Sequence, residues 1–146
     1  MPLIHLAFVG GQPLIDAHIG VSGPRAAAMT SAGLPVPPLV KVTLLIDTGA
    51  SGVCIDQVAL SSLGLVPTGA ASMLTPSTGT TPHSCNLYDV SLLIPAASGA
   101  PFYLPAIPIM ESNFQSQGID GLLGRDVLAQ CVLFYNSPLG GFTLAY

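Results

Sequence analysis

The chain has 146 residues, of which half are apolar and only 7% are charged, and its formal net charge is −4. Its three cations, Arg25, Lys41 and Arg125, are too few to neutralise a nucleic-acid backbone or to form a basic membrane-surface helix. No apolar run reaches the roughly 18–20 residues of a membrane-spanning helix, because 14 prolines and 16 glycines interrupt every run. The composition favours one β-rich domain that buries a core and also an interface.

The three cysteines, Cys54, Cys85 and Cys131, are widely spaced and include no CxxC pair. This pattern favours buried, reduced thiols over a disulfide framework. The histidines have no metal-ligand spacing, so we expect no metal and no cofactor. The segment from Met1 to His5 contains neither a basic stretch nor a sustained apolar one. We therefore expect no signal peptide and a cytoplasmic location.

The first third of the chain predicts two strands followed by a long loop. The strands are expected at Leu3–Val9 and Leu14–Val21, on either side of a Gly-Gly-Gln-Pro turn. Residues 22–38 are rich in Ala, Gly, Ser and Pro, so we expect a loop there with one or two helical turns at most, between Arg25 and Ala32. Such a loop is either an interaction surface or a passive insertion.

Four elements are predicted in the middle of the chain: a strand at Leu39–Ile46, a helix at Val53–Leu63, and strands at Ala71–Leu74 and Ser84–Leu93. Between the last two strands lies Thr75–Pro82, which is small and polar and lacks large apolar residues. This composition predicts the tip of a mobile hairpin.

Four elements are predicted in the last third: a strand at Phe102–Met110, a short strand reaching Gly124, a helix from Arg125 to about Gln130, and a hairpin of Cys131–Asn136 and Gly141–Tyr146. The first of these contains Pro105 and Pro108, which cannot donate backbone hydrogen bonds, so it is expected at a sheet edge.

Asp47 directly follows the apolar run Leu44-Leu45-Ile46, which places a carboxylate at the edge of a core. Thr48 and Gly49 then supply a hydroxyl, a tight turn and backbone NH groups beside it. Taken alone, Asp-Thr-Gly occurs in many turns and could simply cap the strand. The later segment Gly121-Leu122-Leu123-Gly124-Arg125-Asp126 changes this interpretation, because the two segments together are rarely accidental.

These two segments resemble the catalytic loop of the retropepsins, the retroviral-type aspartic proteases, and the strand and helix start that cross behind that loop. The similarity is to their bacterial and cellular members, covers Leu39 to Tyr146, and is absent from Ser22–Pro38. It implies a bacterial protein with an all-β, pepsin-like acid-protease barrel and one or two short helices. It also implies one lobe per chain and activity as a two-fold dimer.

The resemblance also implies a mechanism. Peptide hydrolysis of this kind needs two aspartates that share one proton, one acting on a water and the other on the substrate carbonyl. The chain has a single Asp-Thr-Gly, so each subunit of a homodimer would supply one Asp47. Thr48 would connect the two loops, and the Gly49 carbonyl would bind the peptide. The expected function is an aspartic endopeptidase; the alternative is a weak or inactive dimerisation or peptide-binding module of the same fold.

The substrate-binding residues implied by the resemblance come from the catalytic loop, the flap and the segment before the last helix: Ala50, Ser51, Thr78, Gly79, Thr80, Asp120 and Leu122. We expect one domain spanning residues 1–146, in which 22–38 is a loop insertion. The flap hairpin is expected at about residues 71–92, and the C-terminal hairpin, residues 131–146, at the dimer interface.

The expected positions and partners of the remaining charged residues follow from their neighbours in the sequence. Asp120 either borders the cleft or faces solvent, and Asp126 is favoured by the dipole of the helix that it begins. Arg125 has no acidic partner after the catalytic turn, where Ser51 stands, so it would reach Ser51, a main-chain carbonyl or the partner chain. The other acids are expected at the surface, and one of them, Asp56, could cap a helix: Asp16, Asp56, Asp89 and Glu111.

Overall fold

The computed structural model describes residues 1–74 and 79–146. Strands account for 46% of the described residues and helices for 15%, so the predicted all-β class is confirmed. The strands are β1 (Leu3–Ala7), β2 (Leu14–Val21), β3 (Val40–Ile46), β4 (Cys54–Asp56), β5 (Gly69–Met73), β6 (His83–Ile94), β7 (Phe102–Ser112), β8 (Gly121–Leu123), β9 (Val132–Asn136) and β10 (Gly141–Ala145). The helices are α1 (Gly23–Ser31), α2 (Gln57–Ser61) and α3 (Arg125–Leu128), and a 3-10 turn spans Gln115–Gln117. Within the described ranges, no helix is long and apolar enough to cross a membrane.

Six strands close into a barrel in the order β2, β3, β8, β4, β7, β6. The ring closes because β2 also pairs antiparallel with β6, with Ile19 opposite Leu92. Strand β5 extends β6 outside the ring. A separate three-stranded antiparallel sheet has β10 in the centre, with β1 and β9 on its two sides.

The barrel core follows from the alternation of apolar side chains along the strands. Ile15, Ala17 and Ile19 of β2 are almost completely buried, as are Val42 and Leu44 of β3. Phe142 and Leu144 of β10 belong to the same buried cluster, so the small sheet packs against the barrel. Each large apolar side chain buried in this way contributes about 1.5–3 kcal/mol to folding.

The long segment after β2 contains more helix than expected. Helix α1 begins at Gly23 and spans nine residues, with a proline in its first turn, where the missing NH costs nothing. No residue of α1 is buried, and only residues 32–39 remain irregular. The helix therefore begins two residues before the helical turns predicted between Arg25 and Ala32, and that this segment is an insertion stays a prediction.

The helix predicted at Val53–Leu63 is also shorter than expected. Its first part is strand β4, which pairs parallel with β7 and antiparallel with β8. Val53 and Ile55 are β-branched and buried, which favours a strand between two neighbours. The helix α2 starts only after Asp56, whose carboxylate caps it.

The strand that contains Pro105 and Pro108 was expected at a sheet edge, but β7 is an interior strand, so this prediction is wrong as stated. It lies between β6 and β4, but β4 pairs only with Met110 to Ser112. Pro105 and Pro108 precede that stretch, where β6 is the sole partner strand among the described residues. Pro105 also lies near an irregularity in the register between Val90 and Leu92. The prolines therefore occupy a local edge of an interior strand.

The predicted C-terminal hairpin is present as β9 and β10, with Phe142 opposite Tyr135. Strand β1 pairs with β10 along all of its five residues, which the sequence did not indicate. The outer face of this sheet carries Leu3, Val132 and Phe134, which are 53%, 61% and 61% exposed. The sheet therefore presents an apolar surface to solvent.

Candidate active site

The position of Asp47 follows from the strand order around β8. Strand β8 runs parallel to β3 and antiparallel to β4, so it lies between two strands that are close in sequence. Residues 47–53 must therefore cross the end of β8 to connect its two neighbours. The Asp47 NH donates to the Leu123 carbonyl at 3.1 Å, and the Arg125 NH donates to the Ala50 carbonyl at 3.0 Å. These two bonds fix the loop against the motif that follows Gly121.

The Asp47 carboxylate has a defined orientation. Its Oδ1 accepts hydrogen bonds from the Gly49 NH at 2.8 Å and the Ala50 NH at 3.3 Å. Its Oδ2 accepts no hydrogen bond from residues 1–74 or 79–146. The half-buried group is held by one oxygen and leaves its other oxygen available to a reactant, as a general acid or base requires.

Two glycines allow β8 and α3 to approach the loop closely. A Cβ atom on Gly121 would overlap the Cys54 carbonyl oxygen, and one on Gly124 would overlap the Gly52 carbonyl group. Neither carbonyl can turn away without a shift of the backbone. Both glycines of the second segment are therefore required by contact with the backbone that follows Asp47.

A cleft of about 710 Å³ opens beside Asp47. One side is formed by Leu45, Cys54 and Leu122 around the carboxylate, and the opposite sides by the hairpin of β5 and β6 and the end of β7. Besides Leu45, Asp47, Cys54 and Leu122, the residues that line the cleft are Gln57, Met73, His83, Ser84, Cys85, Asn86, Glu111, Ser112, Asn113, Phe114 and Gln117.

Of the predicted site residues, Asp47 and Leu122 line the cleft. Thr48, Gly49 and Ser51 are exposed on the same loop, and Ala50 is half-buried there. Gly79 and Thr80 are exposed in the turn before β6, whereas Thr78 and the rest of 75–78 lie outside the described residues. The role of the hairpin of β5 and β6 as a flap stays a prediction.

No protein-family model and no curated protein sequence matches this chain. A comparison of structures finds a retropepsin-like aspartic protease from Rickettsia conorii, with a TM-score of 0.61 and 18% sequence identity. The match covers 99% of this chain and 90% of that protein. The chain has a retropepsin-like fold. The prediction of a single-lobe barrel of this type is confirmed.

In this retropepsin-like fold, two acids next to the site bind backbone NH groups. Asp120 accepts from the Thr43 NH at 2.8 Å, so its carboxylate belongs to the β3 contact and does not line the cleft. Asp126 accepts from the Val53 NH at 3.2 Å, where the Asp47 loop ends. These bonds give both carboxylates structural roles next to the motif.

Asp56 is 3% exposed, so the expectation of a surface position is wrong. One carboxylate oxygen accepts from the Val58 NH at 2.8 Å and caps α2, as predicted, and the other accepts from the Phe114 NH at 2.6 Å. The second bond connects β4 to the loop after β7, and it explains why a charged group is tolerated in a buried position.

The Arg125 side chain is exposed, and it makes no salt bridge or hydrogen bond within the described part of the chain. Its backbone NH, rather than its guanidinium, binds the loop at Ala50. Because Ser51 stands where an acidic partner for Arg125 would be, the Asp47 loop is attached to α3 through a backbone hydrogen bond instead of an ion pair.

Cys54 is buried in the wall of the cleft, and none of the three cysteines forms a disulfide among the described residues. Burial raises the pKa of the Cys54 thiol to about 11, and the neighbouring Cys85, Asp126 and Asp47 add to this effect. At neutral pH the thiol is therefore protonated, which argues against Cys54 as a nucleophile.

We expect iodoacetamide to alkylate Cys54 at least about 100-fold more slowly in the folded protein than in the urea-unfolded chain. A thiol with a pKa of about 11 is almost entirely protonated at pH 7.5, whereas an unfolded cysteine titrates near its ordinary value of about 8.5. Quantitative mass spectrometry of the Cys54 peptide measures both rates. Equal rates in the folded and unfolded chains would contradict this assignment.

Proposed function

We propose that the chain is an aspartic endopeptidase whose active form is a homodimer with the two Asp47 side chains paired. The observation that supports this best is the Asp47 carboxylate at the side of an open cleft, with Oδ1 bound to the Gly49 NH and Oδ2 available. One carboxylate would take a proton from a water as its oxygen attacks the peptide carbonyl carbon. The partner's carboxyl group would give its proton to the carbonyl oxygen, which yields a gem-diol. As the C–N bond breaks, the proton taken from the water would pass to the leaving nitrogen, and one gem-diol hydroxyl would return its proton to the partner's carboxylate.

A second copy is required because one chain supplies one such carboxylate. Among the described residues that line the cleft, Glu111 is the other acid, and it accepts a hydrogen bond from the Asn86 amide at 2.6 Å. It does not belong to a loop like that of Asp47. A two-fold axis beside Asp47 would bring two identical carboxylates together.

The small sheet offers a surface for this dimer. Val132 and Phe134 project from the same face of β9, which is an edge strand, and Leu3 continues this face on β1. Exposed apolar patches that continue across neighbouring strands often mark interfaces. The predicted role of residues 131–146 in the dimer is consistent with this surface, which includes β1 as well.

Replacing Phe134 with lysine is expected to weaken dimerisation at least about tenfold, because an apolar side chain in an interface is exchanged for a charge without a partner. Sedimentation velocity over a concentration series measures the dimer dissociation constant. Cleavage of a mixed peptide library, read by mass spectrometry between pH 4 and 7, is expected to fall in parallel at micromolar protein.

Val66→Lys is the matched control, since Val66 is 68% exposed on the segment between α2 and β5, outside the small sheet. This variant should dimerise and cleave like the wild type. A wild type that cleaves peptides as a monomer, or a Phe134→Lys variant with unchanged dimerisation, would contradict the proposed dimer.

The alternative function, a peptide-binding or dimerisation module without turnover, is favoured by the exposed Arg125 and the missing acid at Ser51. The same experiment separates the two functions, because such a module would form dimers and retain peptides without cutting them. The cytoplasmic, bacterial setting stays a prediction.

A further inference from the structure

A side cavity of about 160 Å³ lies next to the cleft, between α2 and strands β6 and β7. Gln57 and Glu111 border both the cleft and this cavity. The two cavities therefore adjoin at these residues, so a side chain of a peptide lying in the cleft has only this boundary to cross to reach the cavity. The cavity is not part of the Asp47 loop, and no predicted site residue lines it.

The walls and the entrance of this cavity differ in chemistry. Leu60, Leu65 and Tyr88 supply the apolar part of the wall, and Gln57 and Ser61 add polar groups to it. At the entrance, Oε2 of Glu111 accepts from the Asn86 side-chain amide at 2.6 Å, while Oε1 accepts no hydrogen bond from the described residues. A partly apolar wall with one carboxylate at the entrance suits a side chain that has an aliphatic stem and a cationic end.

The distribution of charged residues around the two cavities also favours a cationic ligand. Neither the cleft nor the side cavity is lined by a lysine or arginine of the described chain, and Asp47 and Glu111 are the acids that line the cleft. Lys41 is bound to Asp16 at 2.8 Å and borders neither cavity. His83 lines the cleft but not the side cavity, so the carboxylate is the charged group at the cavity entrance. A negative entrance without a neighbouring lysine or arginine favours a positively charged ligand over a neutral or acidic one.

We propose that this cavity is a subsite for a lysine or arginine side chain of the substrate, and that Glu111 determines this specificity. The inference rests on the proposed peptidase function for its use in catalysis, but the subsite itself requires only that peptides bind. The guanidinium or ammonium group donates to the free oxygen of Glu111, and the aliphatic stem packs on Leu60, Leu65 and Tyr88. The Asn86 amide holds the carboxylate in position.

The first test is cleavage specificity. A library of short synthetic peptides with randomised sequences is digested at pH 7 with wild type and with Glu111→Gln, and the residues flanking each cut are counted by mass spectrometry. We expect one position to favour Lys and Arg about tenfold over Leu and Met, the effect of one charge-assisted hydrogen bond on a partly exposed carboxylate. Glu111→Gln should lose this preference while it still cuts neutral peptides, and Glu111→Lys should favour Asp and Glu there.

Asp89→Asn is the matched control, because Asp89 is an exposed acid on the same strand as Asn86 and borders neither cavity. It changes the net charge by the same amount as Glu111→Gln and should keep the full preference. Cuts without enrichment of Lys or Arg at any position, or an enrichment that survives Glu111→Gln, would overturn the subsite.

The second test does not depend on turnover. Immobilised Asp47→Asn protein is incubated with the same peptides, and those retained are compared with those retained by a variant that carries both Asp47→Asn and Glu111→Gln. We expect about tenfold enrichment of Lys- and Arg-containing peptides on the first protein alone. If the wild type never cuts but this enrichment is found, the peptidase proposal fails and the subsite stands. If cuts occur but neither test shows the preference, the subsite fails and the peptidase stands.

Discussion

Replacing Asp47 with asparagine is expected to lower peptide cleavage about a thousandfold or more while the fold and the dimer stay intact. Asparagine has the same shape, and its Oδ1 can still accept from the Gly49 NH at the position where the carboxylate does so now. It can neither take a proton from water nor give one to a carbonyl at the required rate, and general acid–base groups contribute about 10²–10⁴ each. Initial rates on one peptide identified from the library measure the loss.

The control for this prediction is Asp89→Asn, which makes the same chemical change on the exposed side of β6 and should leave the rate unchanged. Mixed dimers add a sharper test, because a dimer of one wild-type and one Asp47→Asn chain has a single Asp47 carboxylate. When a fixed amount of wild type is refolded with excess Asp47→Asn chain, activity should disappear as wild-type homodimers are replaced by mixed dimers. Activity that stays constant as the variant is added would instead indicate that each subunit works alone.

The barrel could be predicted because the two segments that carry the resemblance to a known fold are each local in sequence. Leu44 to Ile46 form a buried strand that ends at an acid, and Gly121 to Gly124 form an apolar strand whose glycines permit contact with the loop. Each pattern depends on neighbouring residues. The pairing of β3 with β8 then agrees with the resemblance between these two segments and a known catalytic loop.

Features that depend on distant contacts were not predictable in the same way. Cys54 to Asp56 looked like the start of a helix, but β7 and β8 lie on both sides of this stretch and make it a strand. Asp56 is buried because the Phe114 NH, 58 residues away in sequence, binds it. Nothing near either residue in the sequence indicates such a partner.

The lining of the cleft shows the same limit. Glu111 belongs to the cleft because β7 continues past Pro108 to Ser112 and brings it beside Asn86. Its chemistry was visible in the sequence, but its position depends on how far β7 extends. An acid directly after a run of apolar residues, such as Glu111 after Ile109 and Met110, is the signal that could have suggested a site residue, as it did for Asp47.

Replacing Gly124 with alanine is expected to destabilise the protein by at least about 3 kcal/mol, the upper range for forcing extra atoms into a packed interior. The new Cβ would overlap the Gly52 carbonyl oxygen and lie 2.5 Å from its carbon, and both are backbone atoms that no rotamer change can move. The contact is relieved only if α3 separates from the loop, which also breaks the bond from the Arg125 NH to the Ala50 carbonyl. Urea unfolding at a fixed protein concentration measures the change, since a dimer's stability depends on concentration.

Gly69→Ala provides the matched control for this substitution. Gly69 also has an ordinary backbone conformation, and a Cβ there would meet only the Leu87 Cδ1 atom at 3.9 Å, which is a normal contact distance. We expect its free energy of unfolding to stay within about 0.5 kcal/mol of the wild type. Because the Gly124 variant also displaces the loop that carries Asp47, its folded fraction should cleave peptides more slowly than wild type. A Gly124→Ala protein as stable and as active as the Gly69→Ala protein would show that β8 and α3 do not position the Asp47 loop.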